Sequence, residues 1–171
     1  LHRPIYELYR KGYFVITDAD VVPAADCPAD FLLHFKSLLH RHPFVKKAGF
    51  SLDLDVVPDT NPNKANILSW ESQFWNRKTA SGHYISEIDT TFALYRPENF
   101  ITKHTHFFKA IRTKKPYTAL HGGWIIDPEH LTEEQLNYFK KANYSNTWKI
   151  TDDHSLQNSM YTRTNSNSTP T

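Results

Sequence analysis

Tyr13–Pro23 reads "YFVITDADVVP", an apolar run from Tyr13 to Thr17 driven into two aspartates, Asp18 and Asp20, with one alanine between them. A continuous run of β-favouring residues without polar alternation predicts a short strand covered on both faces. Two carboxylates at the end of such a strand repel each other unless something positive lies between them. A hard divalent cation, Mg²⁺ or Mn²⁺, does this well, because oxygen ligands suit it. The alternative is an aspartate that caps a helix followed by an aspartate in a loop. The motif alone does not choose between the two.

The chain contains its own control. Asp-x-Asp recurs at Asp53 and Asp55 within "GFSLDLDVVPD". Here Phe50, Leu52, Leu54 and Val56 alternate with Ser51, Asp53 and Asp55, which predicts a half-buried strand with both acids on a solvated face.

Outward from these stretches the pattern is α/β. "PIYELYRKG" ends a helix at Gly12, and "CPADFLLHFKSLLHRH" sets Phe31, Leu32, Phe35, Leu38 and Leu39 at helical spacing, with Pro28 near its first turn. Residues 58–66, "PDTNPNKAN", form a turn-rich loop, and "ILSWESQFW" predicts a helix with Ile67, Trp70, Glu71 and Phe74 on one face. "TTFALYRP" is a further strand stopped by Pro97. Thr132 and Gln135 have capping-box spacing, so a helix starts near Thr132 and runs to about Ala142. Residues 1–150 read as one folded region, and residues 151–171 as a polar, low-complexity, disordered tail. In open α/β sheets ligands gather at the carboxyl ends of strands, which is where Asp18 and Asp20 fall.

The bulk numbers exclude several classes. With 20 Lys plus Arg against 18 Asp plus Glu, the net charge of +2 gives no case for nucleic acid as a partner. Cys27 is the single cysteine, so an internal disulfide and a cysteine-built metal site are both excluded. No apolar run approaches the roughly 18 residues of a membrane-spanning helix. Aromatic residues make up 14% of the chain, which suits sites gripping polar ring-shaped ligands as well as core filling. Nothing in the sequence fixes the compartment.

Other residues could complete a site around the first acid pair. Asp89, in "SEIDTTFALY", precedes a strand and is otherwise a cap or turn residue. His121 is followed by Gly122 and Gly123, and paired glycines let backbone approach a ligand closely. Glu71 beside Trp70 is either paired in the core or aimed into a cleft. Arg112 and Lys114 could meet phosphate or remain solvated, and His104 and His106 read as surface.

Taken together, "YFVITDADVVP", "KKAGFSLDLDVVPD", "WESQFW", "IDTTFALYRP" and "IRTKKPYTALHGGW" resemble a glycosyltransferase of the GT-A fold. The resemblance runs from about Leu1 to Asp127 and is to small bacterial and algal-virus sugar transferases that use a nucleotide-sugar donor. It implies a mixed sheet flanked by helices. It also implies that Asp18 and Asp20, with His121, hold Mn²⁺ or Mg²⁺ against the donor's diphosphate, and that Asp89 is the catalytic base. Gly49 would lie near the donor sugar. Trp70 and Glu71 would line the donor or acceptor pocket, with Arg112 and Gly122 also in the binding set. The partners implied are a nucleoside-diphosphate sugar and a carbohydrate or glycoconjugate acceptor.

The chemistry is consistent with the residue types. A departing nucleoside diphosphate gathers negative charge that a divalent ion stabilises. The acceptor hydroxyl must lose a proton, and a positioned carboxylate taking it is worth roughly 10²–10⁴-fold in rate. Attack from the opposite face inverts the anomeric carbon. A GT-A domain carries a run of alternating strands and helices before its Asp-x-Asp, whereas only residues 1–12 precede Tyr13 here. The expectation is therefore a fragment or truncated product, incomplete at its N-terminus, with weak or absent activity alone. A non-catalytic remnant that binds a partner and a metal-dependent phosphohydrolase are the other readings.

Overall fold

The structure is a computed structural model that describes residues 8, 11–88, 91–97, 109–127, 130–141, 148–150 and 156–158. The chain is a mixed α/β protein built from two compact units, Leu1–Asp53 with Gln73–His121 and Leu54–Ser72 with Gly122–Thr171. Among the described residues there are two mixed sheets and three α-helices.

The first unit carries both mixed sheets. Its strands are β1 (Phe14–Ile16), β2 (Val21–Pro23), β3 (Lys47–Gly49), β4 (Ser51–Leu52), β5 (Tyr84–Glu87), β6 (Ala93–Tyr95), β7 (Lys109–Arg112) and β8 (Thr118–His121). One sheet has the order β1-β6-β3-β7-β5 and the other β2-β8-β4. Three times the chain leaves the first sheet and enters the second: β1 to β2, β3 to β4, and β7 to β8. Because β3 runs parallel to β7 and β4 parallel to β8, two of these crossings travel side by side. At one of them the Thr113 N–H donates to the Gly49 carbonyl at 2.9 Å, and the Thr113 hydroxyl donates to the Tyr117 carbonyl at 2.6 Å. The Asp18–Asp20 turn lies at the third crossing.

Helix α1 (Phe31–Arg41) follows from a stretch without glycine, proline or β-branched residues. It buries Phe35, Leu38 and Leu39, an i, i+3, i+4 stripe, while Leu32 is exposed. Phe35 meets Phe50 at 4.8 Å between ring centroids, and Phe50 meets Phe31 and Phe92 at 5.2 and 5.3 Å. Burying each such ring is worth roughly 1.5–3 kcal/mol. Arg96 closes the helix: its guanidinium donates to the carbonyls of Leu39, His42 (3.2 Å) and Val45 (2.8 Å). The last carbonyls of a helix have no partner within it, and a fork of N–H donors supplies one.

Two expectations are corrected here. β1 is not covered on both faces. Among the described residues it pairs only with β6, at the sheet's edge, and Val15 is 37% exposed. Phe14 and Ile16 pack inward on Ile88, Ala93, Tyr95 and Ala110, and Phe14 stacks on its register partner Tyr95 at 5.0 Å. An apolar run does not report how many neighbours a strand has. The strand predicted through Val56 stops at Leu52, and Ser51 and Asp53 are buried along with Leu52, so there is no solvated face. The buried polar set of the same unit includes Lys47, whose ammonium donates to the Tyr95 hydroxyl at 3.2 Å.

The second unit holds α2 (Lys64–Ser72), α3 (Glu133–Lys141) and a hairpin of β9 (Trp148–Ile150) with β10 (Leu156–Asn158). α2 begins at Lys64, inside the stretch expected to be loop. Asn61 organises the approach, donating to Trp124 O at 2.8 Å and accepting the Asn63 N–H at 2.8 Å. The capping box forms as expected: Thr132 N donates to Gln135 Oε1 at 2.8 Å and Gln135 N to Thr132 Oγ1 at 3.2 Å. β10 falls within the stretch read as a tail, most of which lies outside the described residues. No helix of the described residues is long and apolar enough to cross a membrane.

Candidate functional site

Asp20 and His121, a hundred residues apart in sequence, are joined by one strand pairing. β2 and β8 are antiparallel with Val21 opposite His121. The turn before β2 is held by its own bonds, Val21 N–H to Asp18 O at 3.3 Å and the Thr17 hydroxyl to the same oxygen at 2.8 Å. Asp20 thus leaves the turn beside the last residue of β8, and its Oδ2 lies 3.3 Å from His121 Nδ1. Both side chains are partly open to solvent. The helix-cap alternative for this motif does not hold, since the residues after Asp20 form a strand.

Carboxylate oxygen with imidazole nitrogen is a donor set that Mn²⁺ accepts readily, and Mg²⁺ less so. Asp18 and Asp20 share the turn, and His121 supplies the nitrogen. Among the described residues, no three His, Cys, Asp or Glu side chains converge in a way that could hold a metal ion. Asp89, expected as the base, lies outside the described residues, as do His104 and His106.

Gly49 and Arg112 are register partners on β3 and β7. A Cβ at Gly49 would strike the Phe92 carbonyl and lie 2.8 Å from Ala93 Cα. Glycine here lets β3 touch the start of β6. Arg112 is only 4% exposed; its Nε donates to Glu87 O at 2.7 Å and its guanidinium lies 4.1 Å from the Phe74 ring centre. These contacts tie Arg112 into the packing of the first unit. Lys114 remains exposed.

In the second unit, α2 holds Glu71 buried and Trp70 41% exposed, so the two do not share one buried face as expected; Ile67 and Glu71 do. Gly122 opens the 3₁₀ turn Gly122–Trp124.

The other acid pair departs most from expectation. Asp53 is not solvated. Its side chain is 12% exposed and its Oδ1 lies 3.1 Å from Lys115 Nζ, while Asp55 is exposed. The backbone explains the burial: Asp53 N–H donates to Ala119 O at 2.8 Å, extending the β4–β8 pairing by one residue and drawing the carboxylate in. The only signal in the sequence was Lys115 after an apolar strand, which names no partner. Cys27 is half-buried, and burial together with Asp26 and Asp30 pushes its thiol up, away from the reactive thiolate.

Compared with family models, curated proteins and solved structures, the chain matches none of them.

Proposed function

We propose that this chain is the catalytic region of a metal-dependent glycosyltransferase that moves a sugar from a nucleoside-diphosphate sugar to an acceptor hydroxyl, with inversion. The observation that carries the reading is the 3.3 Å approach of Asp20 to His121 at the end of the β2–β8 pairing, next to a turn that also holds Asp18. In this reading, within a GT-A fold, Asp20 and His121 would be the pair that meets Mn²⁺ or Mg²⁺, and Asp18 would have to turn in to join them, since the three do not converge as they stand. When bound, the ion stabilises the negative charge of the departing diphosphate.

The chain's own residues do the rest. The β2–β8 pairing sets the backbone of Asp20 beside His121, while their partly exposed side chains and that of Asp18 would order on the ion. Asp89 accepts the acceptor hydroxyl's proton. Gly49 keeps β3 against Phe92 and Ala93, which follow Asp89 closely in the chain, and so holds the start of β6 in place.

Paramagnetic broadening tests the site directly. Added Mn²⁺ should broaden the NMR signals of the Val21 amide and the His121 ring ahead of all others in wild type, and spare the Val21 amide in the double variant His121→Ala with Asp20→Ala. Uniform broadening, or broadening centred elsewhere, would remove the basis for the reading. Release of a nucleoside diphosphate from the donor, with no phosphate released from simple esters, separates the transferase from a phosphohydrolase.

A further inference from the structure

Three segments of the first unit meet at a pair of histidines. His34 lies on α1, His83 directly precedes β5, and Lys114 and Tyr117 belong to the connection between β7 and β8. The His34 ring lies flat on Tyr117, 4.0 Å between centroids at 7°, and faces His83 at 5.1 Å. The Tyr117 hydroxyl donates to Asp30 Oδ1 at 3.0 Å. His83 is buried, and its Nδ1 accepts the backbone N–H of Lys114 at 3.3 Å. A ring nitrogen accepts only while it keeps its lone pair, so this bond requires Nδ1 of His83 to be unprotonated.

The surroundings favour that state. Burial comes first and lowers His83 to about 4, with His34, Lys114, His42 and Arg41 adding to it. Burial also lowers His34, with Arg41 and Lys114 adding and Asp30 alone opposing. The Tyr117 face would welcome a cationic ring, but His34 Nε2 is buried with no hydrogen-bond partner among the described residues, so a charged ring would gain none from them. We propose that His83 is an acid-released clasp: neutral, it holds the β7–β8 connection through the Lys114 N–H; protonated, it drops that bond and repels His34 on α1. This inference does not rest on the metal reading.

The sign follows from the direction of the shift. Between the ordinary value of 6.5 and about 4, the unfolded chain binds protons that folded His83 refuses. The clasp's contribution is therefore whole above 6.5, falls as pH falls, and is gone below about 4.

Urea unfolding of wild type and the double variant His34→Phe with His83→Asn, at about pH 7 and about pH 4.5, tests it. Phe keeps the stack on Tyr117, and Asn keeps an acceptor near Nδ1 but takes no charge. Wild type should lose on the order of tenfold more of its folding equilibrium constant over that interval than the variant. Equal losses overturn the proposal. If the variant fails to fold, an NMR titration of wild type decides. The clasp predicts a His83 ring silent above about pH 5.5 and Lys114 amide protection lost as pH falls through about 4; a ring midpoint near 6.5, or protection that ignores pH, overturns it.

Discussion

Val21 and His121 are register partners across β2 and β8, and that pairing carries the Asp20 carboxylate to 3.3 Å from the imidazole. The contact is a weak source of stability, because even a fully charged pair at such an exposed position is worth about 0–1 kcal/mol. Asp20→Ala should therefore shift the urea midpoint by less than about 1 kcal/mol equivalent. A much larger loss would mean that Asp20 serves the fold.

Gly49 behaves differently. With the Phe92 carbonyl and Ala93 Cα in the path of any Cβ, Gly49→Ala must push β3 off β6. The expected loss is on the order of 1–3 kcal/mol, read from denaturant unfolding. A neutral substitution would show that β6 yields without cost.

Arg96 gathers three carbonyls at the end of α1. Lysine keeps the charge but lacks the planar fork. Arg96→Lys should cost roughly 1–3 kcal/mol and raise hydrogen exchange in the last turn of α1 before other helices respond.

Asp53 and Lys115 should respond unequally. The carboxylate is mostly buried and the ammonium half-exposed, at 12% and 51%. Lys115→Met takes a cation from a buried anion, whereas Asp53→Asn leaves a lysine that water can reach. The first should cost more, by about 1 kcal/mol or more, in parallel unfolding measurements.

How much of this could be read from the sequence depends on how local the cause was. The capping box at Thr132 and Gln135 and the Phe35, Leu38, Leu39 stripe are set by residues within a turn or two, and both form as the spacing predicts. The Asp20–His121 approach is long-range, and only the ordered set of motifs pointed to both residues. Periodicity misled at Asp53, because alternation predicts which side a residue faces but not whether that side is covered. It also misled at β1, whose neighbours are set by topology. Arg112 looked free to meet phosphate, since nothing near it in sequence announced Phe74 or the Glu87 carbonyl.

Calorimetric titration of a nucleoside diphosphate in the presence of Mn²⁺ tests the central claim most directly, on wild type and Asp20→Ala side by side. The account predicts metal-dependent binding to the wild type that disappears in the variant while its unfolding midpoint holds. Binding that persists undiminished without the Asp20 carboxylate, or no binding to either protein, would contradict it.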